Sequence, residues 1–360
     1  MERFFCKTQI LSGQDSLQTL GTLHIKRLLI VADPFFYENG TANHIAHLSS
    51  AEKVEVFHKI TPDPSVSLVA EGVQMALQFL PDTILALGGG SAMDCAKAIA
   101  YFSGLDARLI AVPTTSGSGS EVTDFAILTH GGVKHPLVDE KLRPDIAILD
   151  GQLLQSLPPK LIADTGFDLI SHGLEAWVAA GAGQVSDAVA FGSLRTAFSQ
   201  LPRSYGGDAS ARLAVHTAAT MAGMAFSSAG LGLCHAISHA LGGEFHAPHG
   251  RLNAILLPAV IDCNAEKAAH RYATLARELG LSTAADPIAL RALKNAICKL
   301  RRELGLPESL SAIGIPPAKL RDHMENLVSA ALADPCCDSN PVTPQPHHIR
   351  QILQGVMGHG

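Results

Sequence analysis

Hydrophobic residues in the first half of the chain lie in short runs, and helical patterns fill some of the spaces between them. A short apolar run bounded by glycine, proline or acidic residues is typical of a buried β-strand. We predict strands in four segments, residues 27–33, 82–91, 108–120 and 145–150, of which the second runs into three glycines and the third into a Gly/Ser/Thr loop. Residues 66–80 and 92–102 are predicted helices. This alternation predicts a mostly parallel sheet covered by helices.

From about Pro158 the pattern changes to successive Ala/Leu-rich helices, and strand signals become weak. Prolines and glycines punctuate these helices, and no internal repeat is visible. We therefore place a domain boundary near residue 157. The predicted fold class is an α/β domain in residues 1–157 followed by an all-α domain in residues 158–360.

The composition narrows the range of partners. With 47% hydrophobic and 17% charged residues in a chain of 360, large buried cores are expected. The net charge is −6 and no run of Lys or Arg occurs, so we expect no nucleic-acid partner. The N-terminus, MERFFCKTQI, lacks the long apolar core of a signal peptide, and no stretch of about 18 uninterrupted apolar residues is available to span a membrane. The seven cysteines are scattered, which favours a reduced, cytoplasmic protein.

A glycine-rich turn follows the second predicted strand. Gly88, Gly89 and Gly90 would let a ligand approach the backbone closely, and the following helix start would offer amide groups to a pyrophosphate. We predict Ser91 as the helix N-cap, with Asp94 completing a capping box. The spacing is not G-x-G-x-x-G, and a simple tight strand-to-helix turn is the alternative.

Two further features suit a dinucleotide. Asp33 ends the first predicted strand, where an acid can accept hydrogen bonds from a ribose diol and would repel a 2′-phosphate. The alternative for Asp33 is a helix N-cap or a loop acid. The loop of residues 113–120 supplies many hydroxyl groups for amide, ribose and phosphate contacts, or is simply flexible.

Histidines are concentrated in residues 230–258. His235 and His239 are four residues apart on a predicted helix and therefore share a face. His249 follows two glycines and a proline, so we expect it on a loop that can bend back toward that helix. Imidazoles converging from a helix and a loop form a natural site for a transition metal. Buried, hydrogen-bonded histidines are the alternative interpretation.

Asp168 and His172 are likewise four residues apart on a predicted helix, with Asp164 one turn earlier. Taken alone they would form a solvated helix pair. Together with His235 and His249 they would supply one carboxylate and three imidazoles, a set without sulfur that suits Fe(II), Zn(II), Mn(II) or Co(II).

Four segments in this order resemble the iron-containing (group III) alcohol dehydrogenases: GGGSAMDCAK at 88–97, VPTTSGSGSEVT at 112–123, TGFDLISHGLEAWV at 165–178 and GLGLCHAISHALGGEFHAPHG at 230–250. The resemblance implies a Rossmann-like dinucleotide-binding domain and a helical metal-binding domain, the dehydroquinate synthase-like fold. SGQDSL at 12–17 and TPDPS at 61–65 are similar to the 1-propanol dehydrogenases of bacterial microcompartments.

By motif, the resemblance implies roles for individual residues. The implied metal ligands are Asp168, His172, His235 and His249, and His239 matches the histidine beside the nicotinamide. The implied contacts with NAD(H) are Asp33, Gly89, Gly90, Ser91, Asp94, Thr114, Thr115 and Ser118. Lys97 matches the motif lysine, with a solvated helix side chain as its local alternative. The chain departs from the family pattern at Gly151, Phe167, Arg251 and Val342, none of which removes a ligand.

The activity that we predict is reversible hydride transfer between a short primary alcohol and NAD+, with Fe(II), or alternatively Zn(II), polarising the substrate oxygen. The working direction implied is reduction of propanal to 1-propanol. The expected partners are the small aldehyde or alcohol and further copies of the chain in a homodimer or higher oligomer, with microcompartment shell or enzyme proteins as further candidates. Three alternatives stay open: a polyol dehydrogenase of the same fold, a metallohydrolase, and a non-catalytic microcompartment protein.

Overall fold

The computed structural model describes residues 4–131 and 133–358. The chain divides into two compact units, the first being Phe5–Leu157 and the second beginning at Pro158. The first unit combines strands with helices, whereas the described part of the second unit is helical. Dinucleotide binding by the first domain and metal binding by the second remain predictions.

The first unit contains a six-stranded, all-parallel sheet and a separate antiparallel hairpin. Its strands are β1 (Gln9–Gly13), β2 (Arg27–Ala32), β3 (Lys53–Phe57), β4 (Thr83–Gly88), β5 (Arg108–Pro113), β6 (Phe125–His130), β7 (Val133–Val138) and β8 (Ile146–Asp150). The sheet order is β1-β8-β5-β4-β2-β3, and β6 pairs with β7 in the hairpin. The central strands are buried on both faces, which explains their continuous apolar runs.

Helices α1 (Pro34–Glu38), α2 (Thr41–Ser49), α3 (Val66–Phe79) and α4 (Gly90–Ser103) belong to the same unit. Alternate residues of β2 point into two different cores. Leu29 packs in one core with residues of α3 and α4, whereas Leu28 and Ile30 pack in the other with Ile45 of α2. The sheet is therefore covered by helices on both faces, as βαβ connections require.

The second unit is helical in the part of the chain described. Its helices are α5 (Pro159–Val178), α6 (Gln184–Tyr205), α7 (Ala209–Ala229), α8 (Leu233–Phe245), α9 (His249–Glu278), α10 (Asp286–Glu303), α11 (Pro317–Asp322), α12 (Met324–Ala333) and α13 (Pro346–Gly355). Helix α5 is buried around most of its circumference and contacts α6, α7 and α9. A helix enclosed in this way is a fixed platform for any polar side chains that it carries.

The predicted fold class is confirmed, and the four predicted strands correspond to β2, β4, β5 and β8. The sequence prediction missed β1, β3 and the β6–β7 hairpin. Over residues 4–131 and 133–358, no single helix has the length and apolar character needed to cross a membrane; only the bent pair of α7 and α8, which meet at 105°, reaches those limits jointly.

Candidate functional site

The predicted cofactor-binding residues of the first unit gather at the carboxyl ends of three neighbouring strands. Asp33 follows β2, the glycines follow β4, and the hydroxyl-rich loop follows β5. Gly88 has a φ of 151°, and a Cβ atom there would lie 2.7 Å from Cβ of Ala92 and 3.1 Å from Cβ of Asp33. Only glycine fits this position, and its small size brings Asp33 against the glycine turn.

The loop after β5 lies against the same turn. A Cβ atom on Gly89 would be 3.2 Å from Oγ1 of Thr115, and one on Gly90 would be 3.7 Å from Oγ of Ser118. The amide of Thr114 donates to the carbonyl oxygen of Gly88 at 3.0 Å. The structure thus brings the glycines, the hydroxyl groups and the start of α4, which carries Ser91 in its first turn, to one edge of the sheet. Ligands of open α/β sheets bind at this kind of edge.

The predicted capping box is wrong. The N-cap of α4 is Gly89 and the helix begins at Gly90, so Ser91 already lies inside the first turn. Asp94 does not reach back to the helix start, because its Oδ1 accepts a hydrogen bond from Oγ of Ser120 at 3.2 Å. Burial raises the pKa of Asp94 to about 6, although Lys97 and the hydrogen bonds oppose the rise.

Lys97 is not a solvated helix residue. It is 1% exposed, and its Nζ atom lies within hydrogen-bonding distance, 2.9–3.0 Å, of four acceptor oxygens: Oγ of Ser120, the carbonyl and Oγ1 of Thr123, and the carbonyl of Phe125. Burial lowers the pKa of Lys97 to about 8, while nearby acids including Asp94 oppose that shift. Lys97 therefore ties α4 to the loop that follows β5, and the solvated alternative is wrong.

Asp33 caps a helix. It is the N-cap of α1, and its Oδ1 accepts a hydrogen bond from the amide of Phe35 at 3.0 Å. The alternative interpretation as an N-cap is therefore correct. The predicted contact with a ribose remains a prediction, and it does not conflict with capping because a carboxylate accepts several hydrogen bonds.

In the second unit, three helices bring the predicted metal ligands together. Asp168 and His172 lie on α5, His235 on α8, and His249 at the start of α9. The Nε2 atoms of His249, His235 and His172 lie 3.3, 3.8 and 3.9 Å from Oδ1 of Asp168. Ligands bound at about 2.1 Å around a tetrahedral metal are separated by about 3.4 Å, so these distances suit a shared ion.

His249 does not lie on a loop, as was expected, but is the first residue of α9. Pro248 is the N-cap of that helix. A Cβ atom on Gly250 would lie 1.9 Å from the backbone oxygen of Asp164, so the first turn of α9 rests directly on α5. This close approach places His249 beside Asp168.

The charge of the cluster fits a divalent cation. Asp168 is 7% exposed and His235 only 1%, whereas the His249 side chain is 35% exposed. Burial alone would raise the pKa of Asp168, but His172 and His249 hold it well below its usual range. In the described ranges neither Asp168 nor the buried Glu175 forms an ion pair with Lys or Arg. A divalent ion would neutralise the charge of two buried carboxylates that have no Lys or Arg partner in those ranges.

Glu175 is a residue that the sequence analysis missed. One of its oxygens accepts from the amide of Cys234 at 2.6 Å, and the other accepts from Nδ1 of His235. Burial opposes a proton on His235, but Glu175 and Asp168 outweigh burial and raise its pKa to about 9. Asp168, His172 and Glu175 follow i, i+4, i+7 spacing, so helical periodicity was a signal that could have found Glu175.

Asn253 was also missed. It is fully buried, and its Nδ2 donates to Oδ1 of Asp168 at 2.9 Å. The same nitrogen lies 3.2 Å from Nε2 of His249 and 3.4 Å from Nε2 of His235. Asn253 is one turn after His249 on α9, the same spacing that was used to pair the histidines. It contributes a neutral donor that holds the carboxylate of Asp168 in place.

His239 lies next to the Asp168 cluster, and its Nδ1 faces the carboxylate of Asp334. That nitrogen is 2.8 Å from Oδ2 of Asp334, and the His239 ring is stacked on that of His249 with centroids 5.1 Å apart. Burial raises the pKa of Asp334, but His239 and the amide of Cys336 more than offset this and lower it to about 2. The His239 side chain is 29% exposed, so its ring is accessible from solvent.

Two departures from the family pattern have structural explanations. Arg251 donates to both oxygens of Asp164, at 3.0 Å from Nε and 2.6 Å from Nη2, which fastens the start of α9 to α5. Phe167 is fully buried and packs in the core. Neither residue adds a charge that is free to hold a substrate.

Two family models together match most of the chain. The model described as iron-containing alcohol dehydrogenase matches residues 7–151, and that described as Fe-containing alcohol dehydrogenase family, C-terminal, matches residues 162–357. The chain therefore belongs to the iron-containing alcohol dehydrogenase family and is an oxidoreductase.

Among its relatives, the 1-propanol dehydrogenase PduQ of Salmonella typhimurium is 40% identical over 370 residues, covering 99% of this chain and 100% of the relative. The NADPH-dependent butanol dehydrogenase of Clostridium saccharobutylicum is 34% identical over 380 residues, covering 99% and 98%. The solved structure of the iron-containing alcohol dehydrogenase from Thermococcus thioreducens superposes with a TM-score of 0.93 at 34% identity, with 99% of each chain covered. The family predicted from the motifs is confirmed.

Proposed function

We propose that this protein is an NAD(H)-dependent, metal-dependent dehydrogenase that interconverts short primary alcohols and aldehydes, with propanal reduction as its working reaction. The observation that carries the proposal is the convergence of three imidazole Nε2 atoms on one buried carboxylate oxygen, Oδ1 of Asp168. Family membership adds the reaction type, because it places the chain among alcohol dehydrogenases rather than hydrolases.

Asp168, His172, His235 and His249 would hold the metal ion, and their oxygen and nitrogen donors suit Fe(II), with Zn(II) as the alternative. A divalent ion at this position would supply Lewis-acid polarisation of a carbonyl or alcohol oxygen. Glu175 accepts the Nδ1 hydrogen of His235, which would leave Nε2 to bind a metal ion in place of its proton, and Asn253 orients Asp168. Both supporting residues are buried, which restricts the movement of the ligands that they contact.

The edge formed by Asp33, the glycine turn and the hydroxyl-rich loop would bind the dinucleotide. NAD(H) is favoured because the Asp33 carboxylate would face the 2′ position of the ribose, where a phosphate would bring like charge. One relative is an NADPH-dependent enzyme, so cofactor preference is a property of individual members rather than of the family.

His239 is the candidate for moving the proton. Because the ionised carboxylate of Asp334 can only accept, Nδ1 of His239 carries a hydrogen and its Nε2 is left to exchange a proton. In aldehyde reduction His239 would deliver a proton toward the substrate oxygen and regain one from solvent. The partly exposed ring is consistent with that exchange.

A short aliphatic substrate is supported by two observations. The cationic side chain nearest the cluster in sequence, Arg251, forms a two-point ion pair with Asp164, which already neutralises its charge. The full-length relatives are dehydrogenases of 1-propanol and of butanol. A polyol dehydrogenase of the same fold is the alternative that the substrate test must separate.

The test is kcat/KM with NADH for acetaldehyde, propanal, butanal, glyceraldehyde and dihydroxyacetone, using Fe(II)-loaded protein under anaerobic conditions. We expect propanal near the top and its two aliphatic neighbours within about a hundredfold, because each methylene changes binding by only about 1–3 kcal/mol. A maximum at dihydroxyacetone would identify a polyol dehydrogenase instead. Absence of turnover with every carbonyl would contradict the proposal altogether.

We also propose that the enzyme acts as a homodimer or a higher oligomer inside a bacterial microcompartment, where propanal reduction would regenerate NAD+. This proposal is supported by the relative's identity as a propanol dehydrogenase and by the segments at 12–17 and 61–65. Light scattering of the purified protein, and its co-fractionation with shell particles in the source cell, would test the two parts separately.

A further inference from the structure

A second group of metal-binding side chains lies beside the Asp168 cluster. His239 is on α8, and Asp334 and Cys336 lie at the start of the short 3-10 helix Pro335–Ser339. One donor atom from each of these three residues lies within 4.8 Å of the other two. All three side chains are partly buried. The proposed reaction makes no use of Cys336.

Hydrogen bonds hold this second group in a fixed arrangement. Oδ1 of Asp334 accepts from the amide of Cys336 at 2.8 Å, and Oδ2 faces Nδ1 of His239 at the same distance. Asp334 is therefore the common partner of the other two residues. Its orientation is set by the backbone of the 3-10 helix that it caps.

The donor set differs in kind from that of the Asp168 cluster. It combines an imidazole, a carboxylate and a thiol. A sulfur donor favours Zn(II) and similar ions, whereas a set of only oxygen and nitrogen donors also suits Fe(II). Asp334 and the thiolate form of Cys336 would carry two negative charges, which match one divalent ion. Partial exposure leaves room for water as a fourth ligand.

We propose that His239, Asp334 and Cys336 form a second cation site, for Zn(II) or a zinc-like ion such as Co(II), distinct from the Asp168 cluster. Binding of the ion would displace the proton of the Cys336 thiol. An ion there would occupy His239 and, on the proposed function, remove it from proton transfer.

The test is anaerobic titration of the metal-free, full-length protein with Co(II). We expect two equivalents after desalting. The second equivalent should bring a sulfur-to-cobalt charge-transfer band in the near ultraviolet, because the Asp168 cluster contains no sulfur. One retained equivalent without that band in the unmutated protein would overturn the proposal.

Two variants localise the second equivalent. Cys336→Ser and His239→Gln should each retain one equivalent and lose the sulfur band, and the retained equivalent shows that the fold is intact. Cys298→Ser, which removes another partly exposed thiol on α10, should keep both equivalents and the band. A band that persists in Cys336→Ser would contradict the assignment. If the Asp168 cluster did not bind cobalt, the titration would instead lack the equivalent that gives no sulfur-to-cobalt band.

Discussion

The buried carboxylate of Glu175 accepts a hydrogen bond from Nδ1 of His235, so that Nε2 of the same ring is directed at Asp168. An ionised carboxylate can only accept, so Nδ1 keeps its hydrogen and a cation would bind at Nε2, where it would displace the second proton that the raised pKa of His235 favours. The other oxygen of Glu175 accepts from the amide of Cys234 in the first turn of α8. One side chain therefore fixes both the tautomer of His235 and the helix that carries it.

Replacing Glu175 with Gln should weaken metal binding about 10- to 100-fold. Glutamine has one acceptor oxygen, whereas Glu175 serves two donors, so either His235 or the Cys234 amide would then face an NH2 group. The measurement is the dissociation constant for Fe(II) or Co(II) by competition with a chelator. Glu303→Gln, at an exposed acid on α10, is the matched control. An unchanged dissociation constant in Glu175→Gln would show that His235 is held by other contacts.

Much of the fold was predictable because the central strands are buried on both faces and therefore appear as continuous apolar runs. Strand β3, KVEVF, alternates polar and apolar residues at the sheet edge, and β1 is half exposed, so neither has such a run. Alternation was a usable signal for β3.

The ligand residues were also visible in the sequence, because i and i+4 pairs on helices are recognisable without a structure. The start of α9 at His249 was not, since it depends on the contact of Gly250 with the backbone of Asp164. The burial of Lys97 was not predictable for a similar reason. Its acceptors lie on residues 120–125, and only the folded chain brings them to α4.

Lys97→Met should destabilise the first unit by at least about 3 kcal/mol, because a group of buried acceptors would lose their common donor. The free energy of unfolding in urea measures this effect, and Lys141→Met, at an exposed position of the same unit, is the control. Metal content in the second unit should stay at the unmutated level. A variant of normal stability with a raised KM for NADH would instead assign Lys97 to the cofactor site.

Asp94 should make stability depend on pH in the acid range. Its pKa is about 6 in the folded protein against 3.8 as the ordinary value. Because the folded state binds this proton more tightly, the stabilising contribution is present below pH 3.8 and is lost as pH rises through 6. The unfolding free energy of the unmutated protein minus that of Asp94→Asn should therefore fall by about 3 kcal/mol across this window. A difference that stays constant would contradict the assignment, and Asp106→Asn, at an exposed position of the same unit, is the matched control.

Asp33 should determine the preference for NADH over NADPH through its charge. The residue also caps α1, so Asp33→Gly alone would mix a loss of charge with a small loss of helix stability. Asp33→Asn keeps a side-chain oxygen for the amide of Phe35 and removes only the charge. We expect the ratio of kcat/KM for NADPH to that for NADH to rise at least about tenfold in both variants, since like-charge repulsion of the 2′-phosphate is relieved in each. A ratio that rises in Asp33→Gly but not in Asp33→Asn would show that space, rather than charge, excludes the phosphate. Equal or better kcat/KM with NADPH in the unmutated protein would show that the Asp33 carboxylate does not face the ribose.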